Sequence, residues 1–285
     1  MQLGELYTFV RSQLSNANIP EVDSEARVIL REVVAADMAQ IMGHPEKEIP
    51  EDQIDIIKKI INRRLMREPL QYILGKWNFM GLDLCVGEGV LIPRPDTEVL
   101  VETALDNLHD GMRILDLCTG TGCILISLLK YSNDCVGTGV DISEQALALA
   151  KKNAELTQVD ANFVLADLYE GASGQYDIIV SNPPYIATAV IDTLEPEVRD
   201  YEPHLALDGG EDGLDLVRRI IDEADLHLFP GGKLMLEIGY DQGPKTCSLM
   251  EQSGLIDVHC IKDYAGLDRV VVGTKSILRT GGRNL

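Results

Sequence analysis

The chain predicts an α/β fold: a doubly wound, mostly parallel seven-stranded sheet with an antiparallel last strand, preceded by a small N-terminal helical bundle and a linking β-hairpin. Three observations predict it. From residue 112 onward, seven strand-like apolar segments alternate with helix-like ones, the pattern of a parallel sheet covered on both faces. The first 70 residues place apolar side chains at helical spacing. Between the last two strand candidates lie only residues 262–268. That is too short for a crossover helix, so the final strand runs antiparallel to its neighbour.

Leu3, Leu6, Tyr7, Val10 and Leu14 form the buried stripe of a first helix. A second begins at Asp23 or Ser24, both N-cap residue types, and carries Ala26, Ile29, Leu30, Val33 and Val34 on one face. His44-Pro45 and Ile49-Pro50 punctuate loops. A third helix spans 51–67 with Ile54, Ile57, Ile60, Ile61 and Leu65 as its stripe. Glu68-Pro69 ends it, because the residue before a proline avoids the α region. Residues 1–75 are thus a helical domain.

Trp77, Phe79, Leu82, Leu84 and Val86 read as extended, and Gly87-Glu88-Gly89 as a tight turn before Val90-Leu91-Ile92. This makes 76–92 a hairpin linker. Pro93 and Pro95 stiffen the chain, and a helix over 96–108 opens the larger domain, 93–285. Strands follow at 113–117, 136–140, 162–166, 177–181, 233–239, 257–261 and 269–273, with helices at 122–131, 143–156, 212–228 and 243–253. The tail, 275–285, has little apolar periodicity and is expected to fray.

The 285 residues suit one medium domain and a smaller one. With 45% hydrophobic and 25% charged residues, the composition excludes disorder as the dominant state. Lys plus Arg number 25 against 46 Asp plus Glu, a formal charge of −21. Such a chain repels nucleic-acid phosphates and attracts basic partners. The charge is uneven: 9 basic against 12 acidic residues over 1–75, and 16 against 34 over 76–285. Solubility and the steering of a basic partner are the two readings of that excess. Six cysteines without a CxxC pair disfavour a zinc ribbon or a thioredoxin-like site. Glu5 and Arg11 interrupt any leader-like apolar stretch, and no apolar run approaches the ~18 residues of a membrane span. A cytoplasmic protein with reduced thiols and no membrane contact is expected. The five histidines are scattered and read as surface or satisfied core residues, not as ligands of a metal.

The first sheet strand runs into Asp116-Leu117-Cys118-Thr119-Gly120-Thr121-Gly122 and then an apolar helix. Glycines at such a turn let the backbone approach a ligand. A dinucleotide fingerprint needs a third glycine where Leu125 stands, so that pattern fails. The second strand ends in Val140-Asp141, whose carboxylate can accept both ribose hydroxyls. The third ends in Ala166-Asp167, placed to meet an adenine amino group. Asp116, Asp141 and Asp167 at consecutive strand ends suit a ligand that carries positive charge and lacks phosphates. S-adenosylmethionine, a sulfonium cation joined to adenosine, is such a ligand.

The fourth strand enters Asn182-Pro183-Pro184-Tyr185. Two prolines stop the strand and fix the backbone direction. A planar amide or amine nitrogen is a poor nucleophile because its lone pair is delocalised. Two fixed acceptors, the Asn182 side-chain oxygen and the Pro183 carbonyl, capture its two hydrogens and aim it at an electrophile. Tyr185 offers a flat face for a planar group.

With these residues in place the chain resembles the class I S-adenosylmethionine-dependent methyltransferases. Leu91-Ile92-Pro93-Arg94-Pro95-Asp96-Thr97-Glu98 narrows the match. So do Tyr201-Glu202-Pro203, Ala206-Leu207-Asp208-Gly209-Gly210, Asp212-Gly213-Leu214, and Glu237-Ile238-Gly239 followed by Gln242-Gly243. Together with the helical N-terminal domain they resemble the HemK/PrmC family over essentially the whole chain. The resemblance implies N5-methylation of the glutamine in the Gly-Gly-Gln motif of peptide chain release factors. Carried over by position, Cys118, Thr119, Gly120, Thr121 and Gly122 form the methionine-side loop. Asp141 holds the ribose, Asp167 and Leu168 flank the adenine, and residues 182–185 hold the glutamine amide. There are two departures. Cys118 stands where the loop often opens with glycine, and Leu168 where an aromatic residue often follows the adenine-side acid. The second leaves two alternatives, weaker adenine stacking or a contribution from Tyr169. The N-terminal bundle and hairpin are the expected docking surface for the protein substrate.

Asn-Pro-Pro-Tyr is shared with adenine-N6 methyltransferases, so DNA or RNA methylation is the rival activity. The acidity of the C-terminal part opposes it. A non-catalytic scaffold is opposed by the intact Asn182 and glycines.

Overall fold

The alternation of periods along the chain builds two units of different architecture. The computed structural model describes residues 1–277, so of the tail singled out above, 278–285 lie outside the described residues. By their contacts the residues divide into Met1–Gly75 with Pro196–Tyr201, and Lys76–Glu195 with the chain from Glu202 onward.

The first unit contains α1 (Leu3–Asn16), α2 (Val22–Val34), α3 (Met38–Gly43), α4 (Glu51–Leu65) and α5 (Leu70–Leu74). Leu3, Leu6, Val10 and Leu14 of α1 meet Ala26, Ile29 and Leu30 of α2 and Ile54, Ile57 and Ile61 of α4 in one apolar core. The short α3 and α5 are additions to the three helices expected; neither is long enough to show a period. Asp37 caps α3, its carboxylate accepting the Gln40 N–H while the Gln40 side chain returns to the Asp37 N–H. Helix α4 stops at Leu65, two residues short of the expected end, and Arg67 takes a φ of 69°.

The second unit opens with β1 (Lys76–Phe79) and β2 (Leu82–Cys85), paired antiparallel with Phe79 opposite Leu82. The turn of the hairpin is therefore Met80-Gly81, with φ of 49° and 74°, and not Gly87-Glu88-Gly89. Two successive positive φ values match the right-handed twist of the strands they join. Residues 90–92 form no strand; Val90 and Ile92 are buried all the same. The expected 96–108 helix is a 3₁₀ turn, Pro95–Thr97, followed by α6 (Glu98–Leu105).

The sheet then forms from β3 (Arg113–Leu117), α7 (Cys123–Tyr131), β4 (Val136–Asp141), α8 (Glu144–Thr157), β5 (Asn162–Leu165) and β6 (Tyr176–Ser181). A long connection carries α9 (Thr188–Ile191) and α10 (Pro196–Arg199). It leads to α11 (Asp215–His227), β7 (Leu228–Glu237), α12 (Gly243–Gln252), β8 (Ile256–Lys262) and β9 (Asp268–Thr274). Strand β7 begins five residues before the expected position because Phe229-Pro230-Gly231-Gly232 hides its start in sequence. The sheet order is β5-β4-β3-β6-β7-β9-β8. Pairs β3–β4, β4–β5, β3–β6 and β6–β7 are parallel, and β9 is antiparallel to both its neighbours. Ile114, Ile178 and Val180 pack with α6, α7 and α8 on one face. Leu115, Leu117, Ile179 and Leu234 pack with α11 and α12 on the other.

Strand order reverses at β3, with β4 and β5 to one side and β6 and β7 to the other. Crossovers diverging there open a crevice at the carboxyl ends of the strands. Helix α10 and the residues to Tyr201 belong to the helical unit. There Arg64, 3% exposed, binds Glu25 at 2.8 and 3.0 Å and Glu197 at 2.7 Å, and Arg67 binds Glu197 at 2.7 Å. Burial pushes the Glu197 carboxyl up, but these two guanidiniums hold it below the usual range.

Candidate active site

The loop after β3 turns sharply because three of its residues are left-handed: Cys118, Gly120 and Gly122, with φ of 58°, 56° and 78°. Cys118 thus holds a conformation that glycine adopts without cost, which explains the glycine usual at that position. Burial pushes its thiol up to about 12, so it stays uncharged. Gly122 is favoured by its φ, and a Cβ there would also press on its neighbours, 3.0 Å from Ile126 Cδ1 and 3.1 Å from Ala150 Cβ. The backbone N–H groups of Gly120 and Ser143 donate to the two oxygens of Asp141, at 2.8 and 2.9 Å. One carboxylate thereby ties the loop after β3 to the loop after β4. Asn153, fully buried, accepts the Cys85 N–H at 2.7 Å and donates to the carbonyls of Cys85 and Thr121, both at 3.0 Å. It fastens the hairpin's end to the same loop.

These loops wall a cavity at the switch point, lined by Cys118, Thr119, Gly120, Thr121, Asp141, Asp167, Leu168, Asn182 and Pro184. Four residues expected at the site lie outside its lining: Asp116, Gly122, Pro183 and Tyr185. Asp116 is a correction to the expected row of three carboxylates. It is fully buried beneath the loop, where the Thr119 hydroxyl donates to its Oδ2 at 2.5 Å and its Oδ1 has no partner. Burial, with some help from the Asp141 charge, pushes it up to about 7. Asp141 and Asp167 remain at the cavity. Arg219 donates to Asp167 at 2.9 Å. Leu168 lines the wall with a φ of 46°. Tyr169 turns away, stacked on His227 at 4.4 Å with its hydroxyl on the Ile220 carbonyl. Of the two alternatives for adenine stacking, Tyr169 is thereby removed.

Val90, Leu91, Arg94, Thr97, Ile142, Leu205 and Arg219 also line the cavity, and sequence reasoning gave none of them a role there. The walls are largely apolar. The two arginines are neutralised, Arg94 by Glu202 and Arg219 by Asp167. A pyrophosphate would find no unpaired guanidinium, whereas a cationic adenosine derivative meets the carboxylate of Asp141, which pairs with no cation among the described residues, beside the acceptor oxygens of the paired Asp167. The donor set therefore fits S-adenosylmethionine.

The turn after β6 is held from several sides. The Ser181 hydroxyl donates to the Leu117 carbonyl at 2.7 Å. Asn182 Nδ2 donates to Thr97 Oγ1 at 3.2 Å, which leaves Oδ1 as the face able to accept hydrogens. The Tyr185 hydroxyl donates to Glu237 Oε1 at 3.3 Å, and burial raises its pKa further above the phenol range. Gln242 Nε2 donates to the Tyr185 carbonyl at 2.9 Å while its own oxygen accepts the Gly239 N–H at 2.9 Å. Ile186 bridges to Asp208 in parallel, exchanging bonds with Leu207 and Gly209. Gly213, at φ 74°, lies so close that a Cβ would overlap the Tyr185 carbonyl. The segments 207–213 and 237–242, which only the resemblance singled out, are thus clamps on the reactive turn. Among the described residues no group of three or more His, Cys, Asp or Glu could hold a metal ion.

Residues 95–197 match the family model "Methyltransferase small domain", and residues 5–75 match "PrmC N-terminal domain". The chain is 39% identical to the release factor glutamine methyltransferase of Caulobacter vibrioides over 98% of this chain and 99% of that protein. It is 40% identical to that of Geobacter sulfurreducens over 93% and 94%. Among solved structures, a Thermus thermophilus 16S rRNA N2 G1207 methyltransferase in complex with AdoMet and guanosine superposes with a TM-score of 0.52. It is 19% identical and aligns over 70% of this chain and 49% of that one, a likeness of fold.

Proposed function

The chain belongs to the release factor glutamine methyltransferases, and from that membership we infer that it moves a methyl group from S-adenosylmethionine to the side-chain amide nitrogen, N5, of a release factor glutamine. The glutamine is that of the Gly-Gly-Gln motif. The observation that carries the reading is the Asn182 amide, whose nitrogen is taken by Thr97 and whose oxygen is left to accept.

S-adenosylmethionine, when bound, supplies an electrophilic methyl group on a sulfonium. The chain's own residues supply position and charge. Asp141 offers the lone pairs its backbone partners leave over to the ribose hydroxyls, Asp167 and Leu168 flank the adenine, and the loop Cys118, Thr119, Gly120, Thr121 and Gly122 holds the methionine end. Asn182 Oδ1 and the Pro183 carbonyl accept the two amide hydrogens. An amide so held keeps its nitrogen aimed, and the acceptors favour the positive charge that develops on it. Pro184 closes the wall and Tyr185 presents its ring. No strong base is required beforehand, because the proton leaves after transfer.

The acidity of residues 76–285 favours a basic protein substrate and disfavours direct contact with nucleic acid. This charge and the family membership together set aside the adenine-N6 reading. The helical unit over 1–75, with the hairpin after it, serves as the docking surface for the release factor. A cytoplasmic location is supported by six unpaired cysteines, and among the described residues no helix is long and apolar enough to cross a membrane. Mass spectrometry of a release factor incubated with the enzyme and S-adenosylmethionine tests the whole reading. One added methyl on the Gly-Gly-Gln glutamine is expected, and an unmodified glutamine overturns it.

A further inference from the structure

Four elements converge behind the Asn182 turn: the 3₁₀ turn with Thr97, the end of β7 with Glu237, β9 with Arg269, and the segment from Asn182 to Tyr185 itself. Thr97 and Glu237 are 2% and 1% exposed. We infer that Thr97 and Glu237 are positioning residues, a hydrogen-bond relay that sets which face of the Asn182 amide meets the substrate and where the Tyr185 ring stands. The inference rests on the reading that Asn182 takes the glutamine amide.

The logic is one of donors and acceptors. A primary amide side chain can turn over, and a flipped Asn182 would show N–H groups to the substrate's own N–H groups. What prevents it is the partner at 3.2 Å, the Thr97 hydroxyl. A hydroxyl both donates and accepts, so by itself it does not choose between the two amide faces. Its choice is made when its hydrogen goes elsewhere. Glu237 offers that destination: its buried Oε2 is an acceptor with no hydrogen-bond partner, and its Oε1 takes the Tyr185 hydroxyl at 3.3 Å. With its hydrogen directed to Glu237, Thr97 can only accept from Asn182, and Asn182 Oδ1 faces the cavity.

The charges around Glu237 agree with this role. Burial pushes its carboxyl up to about 7, while Thr97, the Arg269 guanidinium and the Tyr185 hydroxyl hold it down and Asp96 pushes it up. Arg269 is itself anchored by Asp263 at 3.0 Å and Asp96 at 3.2 Å, so the cation beside Glu237 is fixed. One carboxylate thus orients both ends of the Asn-Pro-Pro-Tyr turn, Asn182 through Thr97 and Tyr185 directly.

The test compares Thr97→Val, Thr97→Ser, Glu237→Gln and Asn182→Ala in the full chain, reading kcat and KM for a release factor and the S-adenosylmethionine Kd by calorimetry. Thr97→Val keeps shape and loses the hydroxyl. It is expected to lower kcat about tenfold, the scale of one oriented hydrogen bond, at unchanged cofactor Kd. Thr97→Ser restores the hydroxyl and is expected to recover most of that loss. Glu237→Gln offers one carbonyl to two donors and is expected to lower kcat at least about threefold, again at unchanged cofactor Kd. A wild-type kcat in Thr97→Val, a Thr97→Ser as impaired as Thr97→Val, or an effect confined to cofactor Kd overturns the relay. If Asn182→Ala is impaired while Thr97→Val turns over at the wild-type rate, the relay alone fails. If Asn182→Ala turns over normally, the reading of Asn182 fails with it.

Discussion

Asp141 has about four lone-pair directions on its carboxylate and uses two of them on the N–H groups of Gly120 and Ser143. The others suit a pair of ribose hydroxyls. Burial raises its pKa, and the backbone donors pull the other way. Asp141→Ala is expected to weaken S-adenosylmethionine binding by about 1–3 kcal/mol, the scale of hydrogen bonds to a charged group. Calorimetry measures it, and an unchanged Kd would remove Asp141 from the site. Asn182→Ala is expected to lower turnover by about a hundredfold while that Kd stays put, because the lost oxygen acts on the acceptor; single-turnover kinetics separates the two effects. Both residues were legible in sequence as strand-end acid and strand-end amide. Asp116 carries a similar signature and yet is sunk. It lies inside β3, one residue before the end, so alternation along the strand turns its side chain onto a sheet face. Asp167 follows β5 by two residues and stays at the cavity.

The elements that hold the reactive turn are loops whose purpose shows only in their contacts. The connection from β6 to α11 returns to Ile186 by a parallel bridge and then brings Gly213 against the Tyr185 carbonyl. No side chain fits there, and the φ of 74° is itself unfavourable for an L-residue. Gly213→Ala is expected to destabilise the chain by about 1–3 kcal/mol and to depress turnover by shifting Tyr185. Thermal unfolding together with a turnover assay checks it, and normal values of both would count against the clamp. The hairpin teaches a similar lesson. Gly87-Glu88-Gly89 looks like a turn by composition, but Met80-Gly81 is the turn because it leaves Phe79 and Leu84 both buried. Local glycine content could not weigh that burial.

Across the whole molecule, charge and burial act together on stability. Asp116 and Glu237 are both buried and raised to about 7, above the ordinary carboxylate range that an unfolded chain would show. Between those values the native state binds more protons than the unfolded one, so stability falls as pH rises through about 7. Protonation also trims the self-repulsion of a chain with formal charge −21. Tm is therefore expected to be higher near pH 6 than near pH 8 at constant ionic strength, and Asp116→Asn is expected to flatten the difference. Scanning fluorimetry reads both, and a Tm that rises with pH contradicts the argument. By itself the sequence determined the two architectures, the antiparallel pairing of the last two strands and the character of the ligand. These follow from periodicity, proline and glycine, and residues at strand ends, all of which act over a few positions. Only the tertiary structure decided that Asp116 leaves the cavity, that Thr97 meets Asn182 across 85 positions, and that Gly213 and Gln242 close on Tyr185. Those pairings depend on how distant segments share one buried volume, and no local pattern encodes which atoms then come within hydrogen-bond reach.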